Sequence, residues 1–277
     1  MASVRELLRR ADQLHGDSPR RDAEVLLGHC LGRNRSWLYS WPEAEVAAGD
    51  EEQFLHLLGE RQRGMPVAYL TGRREFWSLP LKVNEHTLIP RPETETLVQW
   101  ALELSLPAAA AVLDLGTGSG AIALALASER RDWRVTAVDR SEEALGVARD
   151  NGRQLGLSEV CWLRSDWYTG LAGARFDLLV SNPPYVEPGD PHLEAGDLRF
   201  EPSSALVAGA GGLADLASIV DGAGDHLHPG GWLLLEHGFG QGPAVRRLLV
   251  EGGFSEVATR QDIGGQDRVS GGRLDAE

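Results

Sequence analysis

An Asn-Pro-Pro-Tyr tetrapeptide at residues 182–185 is the segment of this sequence that points most clearly to a chemical function. It follows an apolar, β-prone run, so it is expected where a buried strand ends, and its two prolines cannot continue a sheet ladder. The prolines stiffen the backbone and leave carbonyl oxygens free, while Asn182 adds a side-chain oxygen and Tyr185 an aromatic face. Such a rigid set of acceptors suits the binding of a planar –NH2 group while an electrophile approaches its nitrogen. The same residues also fit an ordinary Pro-rich turn capped by Asn.

A second cluster, at residues 116–120, has the composition of a loop that binds a nucleotide-like ligand. Its sequence is Gly-Thr-Gly-Ser-Gly, and it lies between a predicted strand and a predicted helix, where glycines let a ligand approach the backbone closely. Asp139 ends the next predicted strand, at a position where an acid can bind ribose hydroxyls. The loop also meets the relaxed dinucleotide fingerprint, so by itself it leaves both NAD and S-adenosylmethionine open, beside a plain glycine turn. The preceding Asp114-Leu115 pair is the form that methyltransferases favour, and no candidate catalytic His for hydride transfer accompanies it.

Strands and helices alternate from about residue 110 onward, which predicts a doubly wound, mostly parallel α/β sheet. In such a sheet, ligands lie at the carboxyl ends of the strands, where the strand order reverses. The glycine loop and the tetrapeptide are therefore expected to border one crevice. We predict strands at 111–115, 134–139, 160–163, 176–181 and 231–236, helices at 121–129, 142–155, 213–227 and 243–251, and a terminal hairpin near 254–259 and 267–270.

The N-terminal part of the chain has a different pattern. From Val4 to about Arg63, apolar residues recur at helical spacing without strand-like alternation, which predicts a small helical bundle with a helix start at Ser18-Pro19. Residues 75–83 alternate as a hairpin does, and the stiff loop at 89–95 opens another helix. We therefore expect a helical domain at 1–75, a hairpin and helix at 76–109 that lead into the catalytic domain, and a catalytic domain at 110–277.

Charge and composition exclude several classes of function. The 277 residues carry 27 basic and 41 acidic side chains, a net charge of −14. Residues 1–75 hold 11 arginines against 12 acidic residues, so the acidic excess belongs to the predicted catalytic part and argues against general binding to a phosphate backbone. No apolar run approaches the roughly 18 residues of a membrane span, and the N-terminus lacks the apolar core of a signal peptide. The two cysteines, Cys30 and Cys161, favour a reducing cytoplasm over a disulfide scaffold, and we expect no metal site.

The glycine loop, Asp139 and the tetrapeptide together resemble the SAM-dependent amino-methyltransferases, whose (Asn/Asp)-Pro-Pro-(Tyr/Phe/Trp) motif binds a planar amine or amide nitrogen. Within that group the sequence is similar to the bacterial release-factor glutamine methyltransferase (HemK-like) family. The similarity covers nearly the whole chain, from residues 20–24 to 235–238 and almost to the end. The segments that carry it most clearly are 71–72 through 88–95, 114–127, 138–140, 165–167 and 181–185.

This resemblance implies a class I methyltransferase fold, with a seven-stranded sheet and a small N-terminal helical domain. It also implies methyl transfer from S-adenosylmethionine to the side-chain amide N5 of the glutamine in the Gly-Gly-Gln motif of peptide chain release factors, which leaves S-adenosylhomocysteine. The cofactor-binding residues it implies are Gly116, Thr117, Gly118, Ser119, Gly120, Asp139, Asp166, Trp167 and Asn182, and those that bind or act on the glutamine are Asn182, Pro183, Pro184 and Tyr185. Ser119 stands where the family often has Thr, which is a conservative change.

Other interpretations stay open at this level. An adenine-N6 methyltransferase uses the same motif on a flipped base, although it needs a basic groove, and a SAM-binding protein without methyl transfer would not need the motif. Trp167 also fits a core aromatic residue, and Asp166 a turn cap. We hypothesise that the Asn182 side-chain oxygen and the Pro183 carbonyl accept the two N–H hydrogens, and that Tyr185 packs on the substrate amide.

The arginine pairs near the N-terminus and a Gly-Gly-Gln tripeptide near the C-terminus each allow two interpretations. The arginine pairs of the N-terminal helices, Arg20-Arg21 among them, make these helices our candidate for docking a release factor, but they also fit a solvated helical face. Residues 264–266 reproduce the tripeptide Gly-Gly-Gln inside this chain. Because they lie at the predicted terminal hairpin, where glycines serve turns, we interpret them as a turn and not as a site of self-methylation.

Overall fold

The computed structural model describes residues 2–14, 18–194 and 196–275. The chain forms two compact units, one of Met1–Arg73 with Pro191–Phe200 and one of Arg74–Asp190 with Glu201–Glu277. Both cysteines are free thiols. Within the described ranges, no helix is long and apolar enough to cross a membrane.

The first unit is a small helical bundle, as predicted, with a core of its own around Leu26, Leu27 and Phe54. The helix predicted to start at Ser18-Pro19 is confirmed, because Pro19 occupies the first helical position, where a missing N–H costs nothing. Arg61 donates to Asp22 at 2.8 Å and to Asp197 at 2.7 Å, which fastens the segment Pro191–Phe200 within this unit. The helices are α1 (Val4–Leu8), α2 (Pro19–Leu31), α3 (Arg35–Ser40), α4 (Ala48–Gln62) and α5 (Val67–Thr71), with 3₁₀ turns at Arg9–Gln13, Pro191–Glu194 and Leu198–Phe200.

The second unit is built on a seven-stranded sheet in the order β5-β4-β3-β6-β7-β9-β8. Five of these strands run parallel, and β9 and β8 complete one edge in antiparallel pairing. A two-stranded hairpin of β1 and β2 precedes the sheet. The strands are β1 (Arg73–Phe76), β2 (Leu79–Lys82), β3 (Ala111–Leu115), β4 (Arg134–Asp139), β5 (Cys161–Arg164), β6 (Phe176–Ser181), β7 (Leu227–Glu236), β8 (Phe254–Gln261) and β9 (Asp267–Leu274).

Helices cover both faces of this sheet, which is why its central strands are continuous apolar runs. Val112 packs into the core on one face and Leu113 into the core on the other, as strand geometry requires. The helices are α6 (Glu95–Glu103), α7 (Ala121–Glu129), α8 (Glu142–Gln154), α9 (Gly209–Gly212), α10 (Ala214–His226) and α11 (Gly242–Glu251), with 3₁₀ turns at Pro92–Thr94 and Ser203–Ala205. The predicted doubly wound fold is thereby confirmed.

Most predicted boundaries agree with the structure to within a few residues, and the clearest exception is the strand predicted at 231–236. That strand begins at Leu227, because β7 pairs Leu227 with Phe176 and resumes pairing at Trp232 after an irregularity. The early start was not predicted, because the stretch contains a Pro-Gly-Gly sequence and these residues are unfavourable inside a strand. The predicted terminal hairpin is confirmed, and the Gly-Gly-Gln tripeptide lies in its exposed turn.

Candidate active site

The two sequence motifs follow neighbouring strands at the point where the strand order reverses. β3 pairs with β4 on one side and with β6 on the other, and Leu115 lies opposite Ser181. Gly116 and Asn182 are the next residues of their strands, so the topology places the glycine loop beside the Asn-Pro-Pro-Tyr motif. This is the position at which open α/β sheets bind ligands.

The glycine loop depends on backbone conformations that favour glycine. Gly116, Gly118 and Gly120 all have positive φ, at 71°, 56° and 84°. A Cβ added at Gly118 would have no neighbour within 4 Å, so this residue faces open space. A Cβ at Gly120 would come within 3.2 Å of Trp162, Leu124 and Ala148, which makes Gly120 a packing glycine at the start of α7.

Asp139, at the end of β4, is built into the loop it was predicted to serve. One carboxylate oxygen accepts from the Gly118 N–H and the other from the Ser141 N–H, both at 2.9 Å. Each oxygen keeps a further lone pair for a ligand. The side chain is therefore held in one orientation at the edge of the glycine loop.

Asp114 is the fully buried support of the same loop. Its Oδ2 accepts from the Thr117 hydroxyl at 2.6 Å and from the Ala123 N–H at 3.1 Å, while Oδ1 has no partner among the described residues. Burial raises the pKa of this carboxyl to about 7, against the Thr117 and Ala123 hydrogen bonds, which lower it. Asp114 holds the two ends of the turn together without facing the cleft itself.

Trp167 lies across the loop from Gly116, in a strained backbone conformation with φ of 46°. The Ser165 hydroxyl stabilises this turn, because it donates to the Trp167 carbonyl at 2.7 Å and accepts from the Gly170 N–H at 2.8 Å. Asp166 is exposed between them. Strain of this kind, held by a local network, is common where a side chain must be aimed at a ligand.

An open cleft joins residues of the glycine loop, the end of β4 and the Asn-Pro-Pro-Tyr motif. Nine predicted residues line it: Gly116, Thr117, Gly118, Ser119, Asp139, Asp166, Trp167, Asn182 and Pro184. Gly120, Pro183 and Tyr185 are not part of its wall.

The Asn-Pro-Pro-Tyr motif is held from behind. Asn182 is half-buried, and its Nδ2 donates to the Thr94 hydroxyl at 3.2 Å. The Tyr185 hydroxyl donates to Oε1 of Glu236 at 3.3 Å, and burial raises the pKa of this phenol. The Gln241 side chain donates to the Tyr185 carbonyl at 3.1 Å. Two residues of the motif, Asn182 on the cleft wall and Tyr185 behind it, thus rest on a second layer of polar contacts.

The comparison with known proteins places this site in a family. A release factor glutamine methyltransferase of Shewanella oneidensis is 52% identical over 257 residues, which cover 93% of this chain and 90% of that protein. The protein of the same name from Pseudomonas aeruginosa is 51% identical over 273 residues, 99% of each chain. The chain belongs to the release factor glutamine methyltransferase family.

Two family models match this methyltransferase in succession, a PrmC N-terminal domain at residues 2–72 and a methyltransferase small domain at residues 94–214. Its fold is also that of a methyltransferase from Pyrococcus furiosus, with a TM-score of 0.52 and 20% identity over 71% of this chain and 89% of that one. The class I fold and the enzymatic class predicted from the sequence are therefore confirmed.

The walls of the cleft fit S-adenosylmethionine. The open space at Gly118 lets a ligand lie against the loop backbone, and the fixed carboxylate of Asp139 can accept from hydroxyl groups. Asp166 and Asp215 add carboxyl groups to the cleft wall, which suits a ligand that carries a positive charge. The residues present thus suit the donor that this class of enzyme requires.

Sequence reasoning missed several residues that build the site. Asn151 on α8 is buried and donates to the Ser119 carbonyl at 2.9 Å and to the Lys82 carbonyl at 3.0 Å, so it ties the glycine loop to β2. Glu201 accepts from the Ile89 N–H and from Arg91, and so joins two loops whose neighbouring prolines, Pro90 and Pro202, line the cleft. Thr94 and Glu236 were missed as well. All four are buried polar residues in the folded protein, but their neighbours in the sequence share no pattern that would connect them to a partner.

Proposed function

We propose that this methyltransferase moves a methyl group from S-adenosylmethionine to the side-chain amide nitrogen, N5, of the glutamine in the Gly-Gly-Gln motif of peptide chain release factors. The observation that carries the chemistry is the position of Asn182 on the wall of the cleft that the glycine loop also lines. The names of the relatives, at about half identity over nearly the full chain, support the choice of substrate.

The same proposal assigns the donor site. Gly116, Thr117, Gly118 and Ser119 would bind the donor through the loop, Asp139 would accept from its ribose hydroxyls, and Trp167 would lie against its adenine with Asp166 beside it. Gly120 supports the loop without lining the cleft. When bound, S-adenosylmethionine supplies an electrophilic methyl group on a positively charged sulfur.

The chain's own residues must make a poor nucleophile competent. An amide nitrogen shares its lone pair with the carbonyl, so it needs a fixed orientation and stabilisation of the positive charge that develops on it. We assign this task to the Asn182 side-chain oxygen and the Pro183 carbonyl, each of which would accept one N–H hydrogen. Tyr185, adjoining Pro184, would support the substrate amide. No base is required beforehand, because methyl transfer first gives an N-methylated amide cation, which is a strong acid and releases one of its two N–H protons to water to leave the neutral N-methyl amide.

Methyl transfer to three purified acceptors tests the proposal directly. The protein is incubated with methyl-labelled S-adenosylmethionine and a release factor, the same release factor with its Gly-Gly-Gln glutamine replaced by alanine, or duplex DNA. We expect label in the intact release factor alone. Label in DNA would favour the adenine-N6 alternative, which the acidic charge of the chain disfavours. Equal label in both release factors would place the modification on another residue.

We further propose that the N-terminal unit docks the release factor. Arg20 and Arg21 are both exposed on the same helix, but Arg20 also supports the fold, because it donates to the buried Glu24 at 2.9 Å. Arg21→Glu should raise KM for the release factor without a change in kcat, while Arg20→Glu should also lower the melting temperature. Unchanged KM in Arg21→Glu would count against docking on this face.

The proposal also places the enzyme in the cytoplasm. Its cysteines are free thiols, which suits a reducing compartment, and its proposed substrates act in protein synthesis. Separation of cells that express the protein into a cytosolic and a membrane fraction would check this assignment, and we expect the protein in the cytosolic fraction.

A further inference from the structure

The carboxyl group of Glu236 takes no part in the chemistry proposed above, yet it lies directly behind the Asn-Pro-Pro-Tyr motif. β6 and β7 are parallel neighbours with Ser181 opposite Leu235, so Asn182 and Glu236 occupy equivalent positions at the ends of adjacent strands. Glu236 is 1% exposed. A buried ionisable group is unfavourable unless its neighbours compensate for it, so its contacts are informative.

Two hydroxyl groups face this carboxyl from different parts of the chain. The Tyr185 hydroxyl donates to Oε1, and the Thr94 hydroxyl acts as a hydrogen-bonding neighbour that lowers the carboxyl pKa. Oε2 has no hydrogen-bond partner among the described residues, so a small rotation of the nearby Thr94 hydroxyl would let the carboxyl accept its proton. Thr94 in turn accepts from Nδ2 of Asn182. A chain of contacts therefore runs from Glu236 through Thr94 to Asn182.

The charge of Glu236 determines which way this chain of hydrogen bonds points. A threonine hydroxyl has a single proton, and an ionised carboxylate can only accept. When Glu236 is ionised, the Thr94 proton turns toward it, so the Thr94 oxygen can only accept from Asn182. This fixes Nδ2 on Thr94 and leaves the Asn182 side-chain oxygen for the cleft.

A protonated Glu236 permits the opposite arrangement. It can donate to the Thr94 oxygen, which frees the Thr94 proton for the Asn182 side-chain oxygen. The amide would then present its –NH2 group to the cleft, where it cannot accept from a substrate –NH2 group. The amide polarity that the reaction needs is thus the one that accompanies an ionised Glu236.

We propose that Glu236 is a positioning residue for methyl transfer: through Thr94 it orients the Asn182 amide so that its oxygen meets the substrate nitrogen. The inference rests on the proposed function, because it assigns the support for the acceptor of that reaction. Tyr185 is held by the same carboxylate, so one buried charge orders two residues of the motif.

The surroundings of Glu236 make this arrangement sensitive to pH. Burial raises the pKa of its carboxyl to about 7; the Thr94 hydroxyl, Arg268 and the Tyr185 hydroxyl oppose this shift, and Glu93 adds to it. The ionised form therefore prevails above about pH 7. At saturating S-adenosylmethionine, kcat of the wild type should fall as the pH drops through this value.

Three single variants test the proposal: Glu236→Gln, Thr94→Val and the matched control Thr94→Ser, which keeps the hydroxyl. In the purified full-length protein with a release factor as acceptor, Glu236→Gln and Thr94→Val should lower kcat on the order of 10- to 100-fold, the range expected for a misoriented reacting group. Binding of S-adenosylmethionine, measured by calorimetry, should not change. Thr94→Ser should keep wild-type kcat, and the double variant should be no slower than Glu236→Gln.

Two further readouts separate positioning from support of the fold. The decline of kcat below about pH 7 should vanish in Glu236→Gln, whereas a merely structural role would leave the pH profile unchanged. Glu236→Gln should also resist urea better than the wild type at pH 8, because it removes a buried charge.

A wild-type kcat and pH profile in Glu236→Gln would overturn the inference, as would a Thr94→Ser variant as slow as Thr94→Val or a parallel loss of S-adenosylmethionine binding. These outcomes concern the variants alone. A wild-type protein that transfers no methyl group to a release factor would overturn the proposed function itself, and the inference with it.

Discussion

The two halves of the cleft each rest on a buried carboxyl group, Asp114 behind the glycine loop and Glu236 behind the Asn-Pro-Pro-Tyr motif. Both are fully buried, both have one oxygen without a partner among the described residues, and burial raises the pKa of each to about 7. They differ in where their partners come from. Asp114 binds Thr117 and Ala123, within nine residues of itself, whereas Glu236 binds Tyr185, 51 residues away, and faces Thr94 from a still more distant segment.

This difference separates a local site from an assembled one. On the donor side, the glycine loop is a single strand-turn-helix segment whose ends Asp114 joins by hydrogen bonds within that segment, and Asp139 and Asn151 add support from neighbouring elements. The acceptor side forms only when three segments meet: the ends of the strands β6 and β7 and the turn that holds Thr94. We therefore expect variants on the two sides to affect different steps, binding of the donor on one and turnover on the other.

Asn182→Ala should have the largest effect and should act on the acceptor side alone. Removal of one preorganised contact to a developing charge typically raises the barrier by about 3 kcal/mol, so kcat should fall on the order of 100-fold or more. Binding of S-adenosylmethionine should remain measurable by calorimetry. Wild-type turnover in this variant would refute the assigned mechanism.

Asp139→Ala should show the opposite pattern. The loss of a charged acceptor, together with its bonds to the Gly118 and Ser141 amides, should weaken S-adenosylmethionine binding by about 2 kcal/mol, roughly 30-fold. At saturating donor, kcat should stay near that of the wild type. If Asp139→Ala lowers kcat and leaves the dissociation constant of S-adenosylmethionine unchanged, the assignment of separate donor and acceptor sides is wrong.

Asp114→Asn tests whether the buried carboxyl behind the loop makes the free energy of unfolding depend on pH. Because the pKa is raised from 3.8 to about 7, the folded state keeps a proton that the unfolded chain releases, so the wild type loses stability as pH rises between these values. The variant lacks this loss, and its advantage in urea unfolding should grow from pH 4 to pH 8, by on the order of 4 kcal/mol at about 1.4 kcal/mol for each pKa unit. A constant difference across that range would show that Asp114 does not titrate there.

Gly212→Ala should have the smallest effect, again on the acceptor side. Gly212 has φ of 80°, and an added Cβ would lie 2.1 Å from the Tyr185 carbonyl oxygen, so alanine must displace the motif's backbone. We expect a loss of about 1 to 2 kcal/mol in stability with a lower kcat. Gly209→Ala, where the nearest atom would be 3.8 Å away, is the matched control and should behave as the wild type in both assays.

Much of the donor side could be predicted because its signals are contiguous. The strand Ala111–Leu115, the helix Ala121–Glu129 and the strand Arg134–Asp139 were predicted with the bounds that the structure has, since each is a short apolar run with a clear start and stop. The irregular start of β7 was not, because its register depends on the neighbouring strand and on no pattern in its own residues.

The sequence by itself determined the two reactive segments, since glycine conformations, proline rigidity and residue type are local properties. It also determined that Asn182 can present an acceptor oxygen. Only the tertiary structure decided which groups orient that amide. Glu236 reaches the motif because β7 pairs with β6, and Thr94 reaches it from the separate turn Pro92–Thr94, where its hydroxyl accepts from Nδ2 of Asn182. A buried charge exerts its effect through space, over contacts that sequence spacing does not reveal.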